Sequence, residues 1–594
     1  MIRIAELKLP LAAVPYHPEN HTELQPTEQL IALSAERLGI APQAIAQIHV
    51  HKRSFDARKA ALLAVYIVDV TLANASQEPA LLAQFAGHPH VNPTPDMTWK
   101  PVGMAPADYD ERPVVVGFGP CGMFAGLVLA QMGFKPIVLE RGKTVRERTK
   151  DTWRLWRKRE LTPESNVQFG EGGAGTFSDG KLYSQIKDPR HLGRKVLDEF
   201  VTYGAPPEIL FAAHPHIGTF KLVKLVEGIR KEITRLGGEI RFEQRVTDVQ
   251  VQEVDGQRQL TGLQVLNQAT GDSYHLPTHH AVMALGHSAR DTFTMFYERG
   301  VAMEAKPFSI GFRIEHPQSV IDRARWGKDA GHPLLGAADY KLVHHATNGR
   351  AVYSFCMCPG GTVVAATSEP ERVVTNGMSQ YSRAERNANA GMVCAIDPVD
   401  YPQDAESFAW AFDGKTLGVE QLKKGEFHPL SGIVLQRQLE SKAYVLGGKD
   451  YSAPGQLVGD FVAGTPSTDF GGVEPSYKPG ITLGDLHQAL PSYAIEAMRE
   501  ALPAFGKKIR GYDMQDAILT GVETRTSSPV KIGRGADFQS DNTRGLYPAG
   551  EGASYAGGIL SAGVDGIKVG EAVACAILGV AVPSSGMRGS GGAA

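Results

Sequence analysis

The stretch "VVVGFGPCGMFAGLVLAQMGF", residues 114–134, carries no charged side chain over twenty-one positions, enough to cross a bilayer as a helix. Its glycines argue otherwise. Gly117, Gly119, Gly122, Gly126 and Gly133 all fall within it, and glycine is a poor helix former. The first three stand as G-x-G-x-x-G directly behind the β-branched run at 114–116. That order predicts a strand, a tight turn and a helix. Gly117 permits the turn, Gly119 lets backbone approach a pyrophosphate, Gly122 permits close helix-to-strand packing, and Pro120 suits a first helical turn. The helix N-terminus then offers free N–H groups and a positive dipole end to phosphates. A second short strand, "PIVLE", ends at Glu140, about twenty residues beyond the glycines, where a carboxylate accepts ribose hydroxyls and disfavours a 2′-phosphate. The segment reads as a dinucleotide-binding unit, not as a membrane span.

The surrounding chain has 594 residues, 42% hydrophobic and 21% charged, with 65 glycines and a formal net charge of −3. This is the profile of a globular protein of several domains. Basic and acidic residues are mixed along it, so no nucleic-acid partner is expected. The start, "MIRIAELKLPLAAVPYHPEN", lacks the basic, apolar and small-residue regions of a secretory signal, and a cytoplasmic protein is expected. Five cysteines, Cys121, Cys356, Cys358, Cys394 and Cys575, include no C-x-x-C, so a dithiol mechanism of the thioredoxin-reductase type lacks its motif.

Residues 1–100 read as a small α/β domain, with the helix-like "PTEQLIALSAERLGI", the apolar run "AVYIVDVTL" and the basic segment "HKRSFDARK", a solvated strand end or a binding face. "HVNPTPDMTWKPVGMAPADYDERP", with five prolines, reads as a linker. Beyond the glycine turn, "FGEGGAGTFSDGKLYS" is a loop that backbone-contacting ligands can approach closely. "FKLVKLVEGIRKEITRLGGEIRFEQRVTDVQV" predicts an amphipathic helix, a stop at Gly237 and Gly238, and an alternating strand. "HHAVMALGHSARD" predicts a buried strand ending at residues 284–286, and "GLYPAGEGASYAGGILSAGVDGIKVGEAVACAIL" a strand, a glycine-rich turn and a long helix. The tail "SSGMRGSGGAA" has the composition of a disordered segment.

The ordered series "VVVGFGPCG", "VLERG", "FGEGGAGTFSDGKL", "HPHIGT", "ALGHSARD", "KPFSIGFRIEHPQ", "FCMCPGG", "NGMS", "GVETRTSSPV" and "YPAGEGASYAGGI" resembles the bacterial family of uncharacterised FAD-dependent dehydrogenases, within the glutathione-reductase-like flavoprotein group. The resemblance spans nearly the whole chain. It implies an α/β fold, with a Rossmann-type FAD-binding domain in two parts, 101–315 and 516–582. An α+β substrate domain is inserted at 316–515, a small α/β domain occupies 1–100, and 583–594 is a disordered tail. It also implies FAD contacts. Gly117, Gly119, Pro120, Cys121 and Gly122 would hold the ADP pyrophosphate, and Glu140 with Arg141 the adenosine ribose. Gly172, Gly173, Ala174, Gly175, Thr176, Ser178, Asp179 and Lys181 would line the pyrophosphate and flavin. Val246, in the strand pair at 246–251, would contact adenine, and Gly286 would border the cofactor. Gly550 and Glu551 match the segment that holds the ribityl and pyrophosphate, with Glu551 where many relatives carry aspartate. Gly557, Gly558 and Ile559 would lie by the flavin pyrimidine ring, where the positive end of the last helix stabilises reduced flavin.

A redox flavin needs a second reactant. No second G-x-G-x-x-G follows a strand, so NAD(P)H is expected, if at all, as a transiently docking donor. In the substrate domain, Cys356 and Cys358 stand as C-x-C on an expected strand, which would put both side chains on one face. Three readings are open: a thiol pair facing the flavin, a metal ligand pair without the usual zinc partners, and apolar packing. No metal is expected. Arg525, near Glu523, Thr526 and Ser527, either clamps a substrate carboxylate or the flavin's pyrimidine edge, or pairs with an acid such as Glu523. His214, His216 and His287 are candidate general acids with ordinary imidazole pKa, or structural histidines. The expected function is an FAD-dependent oxidoreductase that transfers a hydride between flavin N5 and a small organic substrate. A flavin monooxygenase is the alternative, because "GFGPCG" also resembles the opening of aromatic hydroxylases. A further alternative is a non-catalytic FAD-binding or RNA-modification accessory protein.

Overall fold

Val114–Val116 is the central strand of a five-stranded parallel sheet in the computed structural model, which describes residues 1–17, 19, 24–58 and 61–583. The order across the sheet is Leu546–Pro548, Ala281–Met283, Val114–Val116, Ile137–Glu140 and Glu239–Phe242, with every pair parallel. Alternation along these strands sends side chains to opposite faces. Val115, Val138, Val282 and Tyr547 join one apolar core, and Val114, Val116, Ile137, Leu139, Ala281, Met283 and Leu546 join another.

Helices cover the first face. Pro120–Gln131, Thr219–Arg235 and Ile559–Leu578 pack there. Pro120–Gln131 and Ile559–Leu578 meet backbone to backbone: a Cβ on Gly566 would stand 2.2 Å from the Cys121 carbonyl oxygen, and one on Gly570 3.1 Å from that of Ala125. The opposite face carries an antiparallel three-stranded sheet of Gln244–Val254, Gln257–Asn267 and Ser273–Pro277. The uncharged stretch at 114–134 is thus a three-residue strand and a 12-residue helix. No helix among the described residues is long and apolar enough to cross a membrane.

A larger, mixed sheet builds the second layer of the molecule. Its strands run Val343–His345, Ala351–Ala365, Asn387–Ile396, Phe308–Pro317, Ile518–Glu523, Ala453–Leu457 and Ile481–Leu483, with Thr375–Ser379 added beside Ala351–Ala365. Ser492–Lys508 and Ser431–Leu446 bury their apolar faces in its core. Phe308–Pro317 spans the expected boundary at 315/316, and Ile518–Glu523 lies beyond that at 515/516. Both are interior strands of this sheet, paired to each other. The pairing, which no local pattern announces, carries the large-sheet segment outward at both ends.

The N-terminal residues form an antiparallel sheet in the order Ile45–Asp56, Leu63–Leu72, Ile2–Pro10 and Val91–Pro93, backed by Thr27–Leu38. Most of the basic segment at 51–59 falls at the end of a strand there; its last residue, Lys59, and the tail beyond Pro583 lie outside the described residues. The proline-rich segment that follows has little regular structure but is anchored: Trp99 Nε1 donates to Glu571 at 2.9 Å, and the Ala105 N–H to the Met132 carbonyl at 2.8 Å.

Candidate cofactor and redox site

The turn after Val114–Val116 is built by exclusion. Gly117 has φ +97°, and a Cβ there would lie 2.2 Å from the Ala284 carbonyl oxygen. A Cβ on Gly122 would lie 1.9 Å from the Gly117 carbonyl oxygen, so this glycine serves packing beneath the turn. Gly119 is different. Its absent side chain would meet only Gly173 Cα, at 3.5 Å, and it borders a cavity of about 370 Å³. Glu140 ties this turn to two neighbouring loops: its Oε2 accepts the Phe118 N–H at 2.8 Å, and its Oε1 accepts those of Gly142 and Gly170 at 2.8 and 3.0 Å.

Both sheets line the cavity. The parallel-sheet layer contributes residues 117–121, Glu140, Arg141, Gln244, Arg245, Val246, Gly286 and His287. The loop after it adds Gly173, Ala174, Gly175, Ser178, Asp179 and Lys181, and the C-terminal turn adds Gly550, Glu551, Gly557, Gly558 and Ile559. Phe355, Cys356, Asn376, Glu523, Arg525 and Thr526 come from the large-sheet segment. Two helices begin at this cavity, with Gly119 and Gly558 as their N-caps. A Cβ on Gly557 or Gly558 would meet nothing within 4 Å. Two sets of free backbone N–H groups beside open, side-chain-free surface make a fitting seat for a pyrophosphate.

Cys356 and Cys358 do not occupy a regular strand. Ala351–Ala365 shifts register on both sides of Cys358, and Cys356 has φ +42°. Cys356 lines the cavity while Cys358 is fully buried behind it. The Cys358 thiol donates to the Cys356 carbonyl at 3.3 Å, and Lys181 Nζ donates to the carbonyl of Met357 between them. Arg313 gives NH1 to the Cys356 carbonyl at 2.9 Å, and Nε and NH2 to Glu523 at 2.8 and 3.0 Å. A hydrogen bond from the Cys358 thiol, with the Lys181 and Arg313 charges, holds Cys356 well below the usual thiol pKa. The same bond and burial raise Cys358.

Residues 307–526 match the model described as "FAD-dependent protein, C-terminal domain-like", and residues 1–71 match a domain of unknown function (DUF8436). An uncharacterized protein of Clostridium beijerinckii is 44% identical over 538 residues, which cover 90% of this chain and 94% of that one. The chain belongs to a family of FAD-dependent flavoproteins. Among solved structures, E. coli quinol fumarate reductase FrdA matches with a TM-score of 0.33 and 12% identity, over 79% of this chain and 71% of that one. The open form of a flavocytochrome c3 fumarate reductase matches with a TM-score of 0.33 and 13% identity, over 80% of each chain. Likenesses this low leave the site to be read from this flavoprotein's own residues.

Several expected contacts lie off the cavity. Gly122 packs beneath the turn, and a Cβ on Gly172 would strike Thr176 Oγ1 at 2.2 Å, so Gly172 and Thr176 fill the interior of their loop. Arg141 lines the cavity with its guanidinium shared between Glu164 and Asp291 and stacked 4.1 Å above the Phe169 ring. Asp179 accepts Arg383 Nε at 3.0 Å.

Arg525 has an acidic partner, but it is Glu440 rather than Glu523: Nε and NH2 meet its carboxylate at 3.1 and 2.9 Å, and NH1 reaches Ser288 and Ser368. A clamp on a substrate carboxylate would need donors that Arg525 has already spent. The histidines also depart from expectation. Burial, then the Arg525 and Arg290 charges, push His287 down to about 3, and burial, then Arg383, does the same to His216. Neither carries a proton near neutrality. His214 does not line the cavity but stacks at 4.6 Å between ring centroids on Tyr183, which does.

Apolar packing describes Cys358 but not Cys356, whose charged neighbours the expected strand alternation conceals. The residues missed from sequence include Phe355 and Asn376, which reach the cavity only through the large sheet, and Lys306. Burial pushes Glu551 up to about 7, with Lys306 opposing it.

Proposed function

We propose that this flavoprotein is an FAD-dependent oxidoreductase that moves a hydride between flavin and a small organic substrate, with NAD(P)H as a transiently docking electron donor. The observation that carries the reading is the single cavity shared by the glycine turn, two helix N-termini and the charged, thiol-bearing wall of the large sheet. The parallel sheet, within 101–306 and 527–582, is the cofactor unit, and 307–526 the substrate unit. Bound in this cavity, FAD supplies a two-electron carrier that gives or takes hydride at N5.

The chain's own groups divide the remaining work. Gly119, Pro120, Gly173, Gly557 and Gly558 leave room for the pyrophosphate against N–H groups, and Glu140, Arg141 and Val246 border the adenosine. The N-terminus of Ile559–Leu578 presents a positive dipole end to the cavity, where it would stabilise the negative charge of a reduced flavin. Glu551, titrating near neutrality, holds or releases a proton beside the ring. Lys181 and Asn376 would orient the substrate.

The test is anaerobic. Purified protein should be yellow, release FAD rather than FMN on heating, and lose its long-wavelength flavin band on mixing with NADH, NADPH or a substrate dithionite-free. Released FMN, or a flavin that no donor bleaches, overturns the reading, and oxygen consumption stoichiometric with substrate hydroxylation replaces it with a monooxygenase.

A further inference from the structure

We propose, on the reading that this cavity holds FAD, that Cys356 and Cys358 are a redox-active dithiol that exchanges two electrons with the flavin. The pair is assembled by a distortion. Residues two apart on a regular strand have Cα atoms about 6.6 Å apart, at the far end of the range a disulfide spans. Here the left-handed Cys356 and the register shifts on either side of Cys358 break that spacing and turn the Cys358 thiol back to within 3.3 Å of the Cys356 carbonyl. A non-glycine residue in this conformation is costly, and such strain collects at functional sites.

The charges point the same way. Lys181 is set in the cavity wall and, among the described residues, makes no ion pair with a carboxylate; its one hydrogen bond goes to Met357, between the two cysteines. A Cys356 thiolate would join the Asp179 carboxylate as counter-charge to this cation. Arg313, fully buried, is committed to Glu523 but holds the Cys356 carbonyl. Cys356 thus faces the cavity on the side of Lys181, and Cys358 lies buried behind it.

The step balances. A bond forms between the Cys356 and Cys358 sulfurs as the thiolate and thiol together lose two electrons and one proton, and oxidised FAD takes up both electrons and the proton as its reduced anion. The reverse step, driven by reduced flavin, breaks the S–S bond and returns one thiolate and one thiol.

Anaerobic dithionite titration of the oxidised holoprotein tests this directly. The native protein should consume two two-electron equivalents per FAD, against one for Cys356→Ser or Cys358→Ser. Independently of any variant, alkylation of the denatured protein followed by peptide mass analysis should find the 356–358 pair blocked after oxidation and both thiols labelled after reduction, with Cys121, Cys394 and Cys575 labelled throughout. A broad long-wavelength thiolate-to-flavin absorbance should be present at half-reduction and absent in Cys356→Ser. One equivalent per FAD in the native protein, or a pair that stays labelled after oxidation while FAD is bound, overturns the dithiol and leaves the oxidoreductase reading standing. Protein isolated without FAD overturns both.

Discussion

Arg525 and Glu440 meet as a two-pronged pair, Nε to Oε1 at 3.1 Å and NH2 to Oε2 at 2.9 Å, and the same carboxylate receives Arg290 at 2.7 and 3.0 Å. One anion therefore serves two buried guanidiniums. Arg525→Lys keeps the charge but loses the planar fork, and should cost about 1.5–3 kcal/mol while leaving flavin reduction within about tenfold. Glu440→Gln strands Arg525, leaves Arg290 with Glu369 alone at 2.7 Å, and should cost about 3–5 kcal/mol. Thermal unfolding and stopped-flow reduction on the same preparations check both; a large loss of reduction rate in Arg525→Lys with stability intact would return Arg525 to the substrate site.

The second and third glycines of the turn should respond differently. A side chain at Gly119 enters the cavity without striking the fold, so Gly119→Val should fold, yet purify without FAD. In native protein, FAD at a thousandfold excess over its Kd should add about 4 kcal/mol of stability, and this gain should vanish in the variant. Gly122→Ala, whose methyl would stand 1.9 Å from the Gly117 carbonyl oxygen, should fail to accumulate as folded protein. Full FAD occupancy in Gly119→Val contradicts the placement of the cofactor.

Histidines kept neutral by their surroundings contribute to the acid behaviour. His216 and His287 are pushed down to about 3 and His316 to about 4, in each case chiefly by burial. Between those values and the ordinary imidazole pKa near 6.5, the unfolded chain binds protons that the folded chain refuses, so the histidines' contribution to stability falls as pH drops below about 6.5. His316→Gln should flatten the slope of unfolding free energy by up to about 1.4 kcal/mol per pH unit between pH 4.5 and 6. Urea unfolding across roughly pH 4.5–7 reads it, and an unchanged slope would show that His316 titrates normally.

The proline-rich segment after the N-terminal sheet is held by a shared acid. Glu571, almost fully buried, accepts Trp99 Nε1 at 2.9 Å and two bonds from Arg190. Trp99→Phe removes one charge-assisted bond, worth about 1.5–3 kcal/mol, and should speed proteolytic cleavage within residues 94–113 severalfold without changing the flavin spectrum. Unaltered cleavage would mean that other contacts anchor the segment.

Local chemistry made the glycine turn legible, because strand, turn and helix are set by neighbours in the chain, and the strands ending at Glu140 and near residue 284 were legible for the same reason. What depends on distant partners was not. The large sheet pairs Phe308–Pro317 with Ile518–Glu523, so its limits overrun the expected boundaries. Arg525 finds Glu440 and Glu523 finds Arg313, choices that sequence proximity misassigns. Strand alternation fails at Cys356 because a bulge is a backbone event with no side-chain signature here, and imidazole pKa values follow burial, which only the assembled core determines.

The contact of Gly566 and Gly570 with the helix behind the glycine turn has a consequence for biosynthesis. The cradle's two walls come from segments more than four hundred residues apart, so the second is made long after the first. A nascent chain that has made the turn but not residues 559–570 has an open nucleotide seat and an uncovered apolar helix. The seat is therefore complete only once residues 559–570 have docked, and until then the apolar face of 120–131 stays uncovered, the kind of transiently exposed surface on which folding intermediates aggregate.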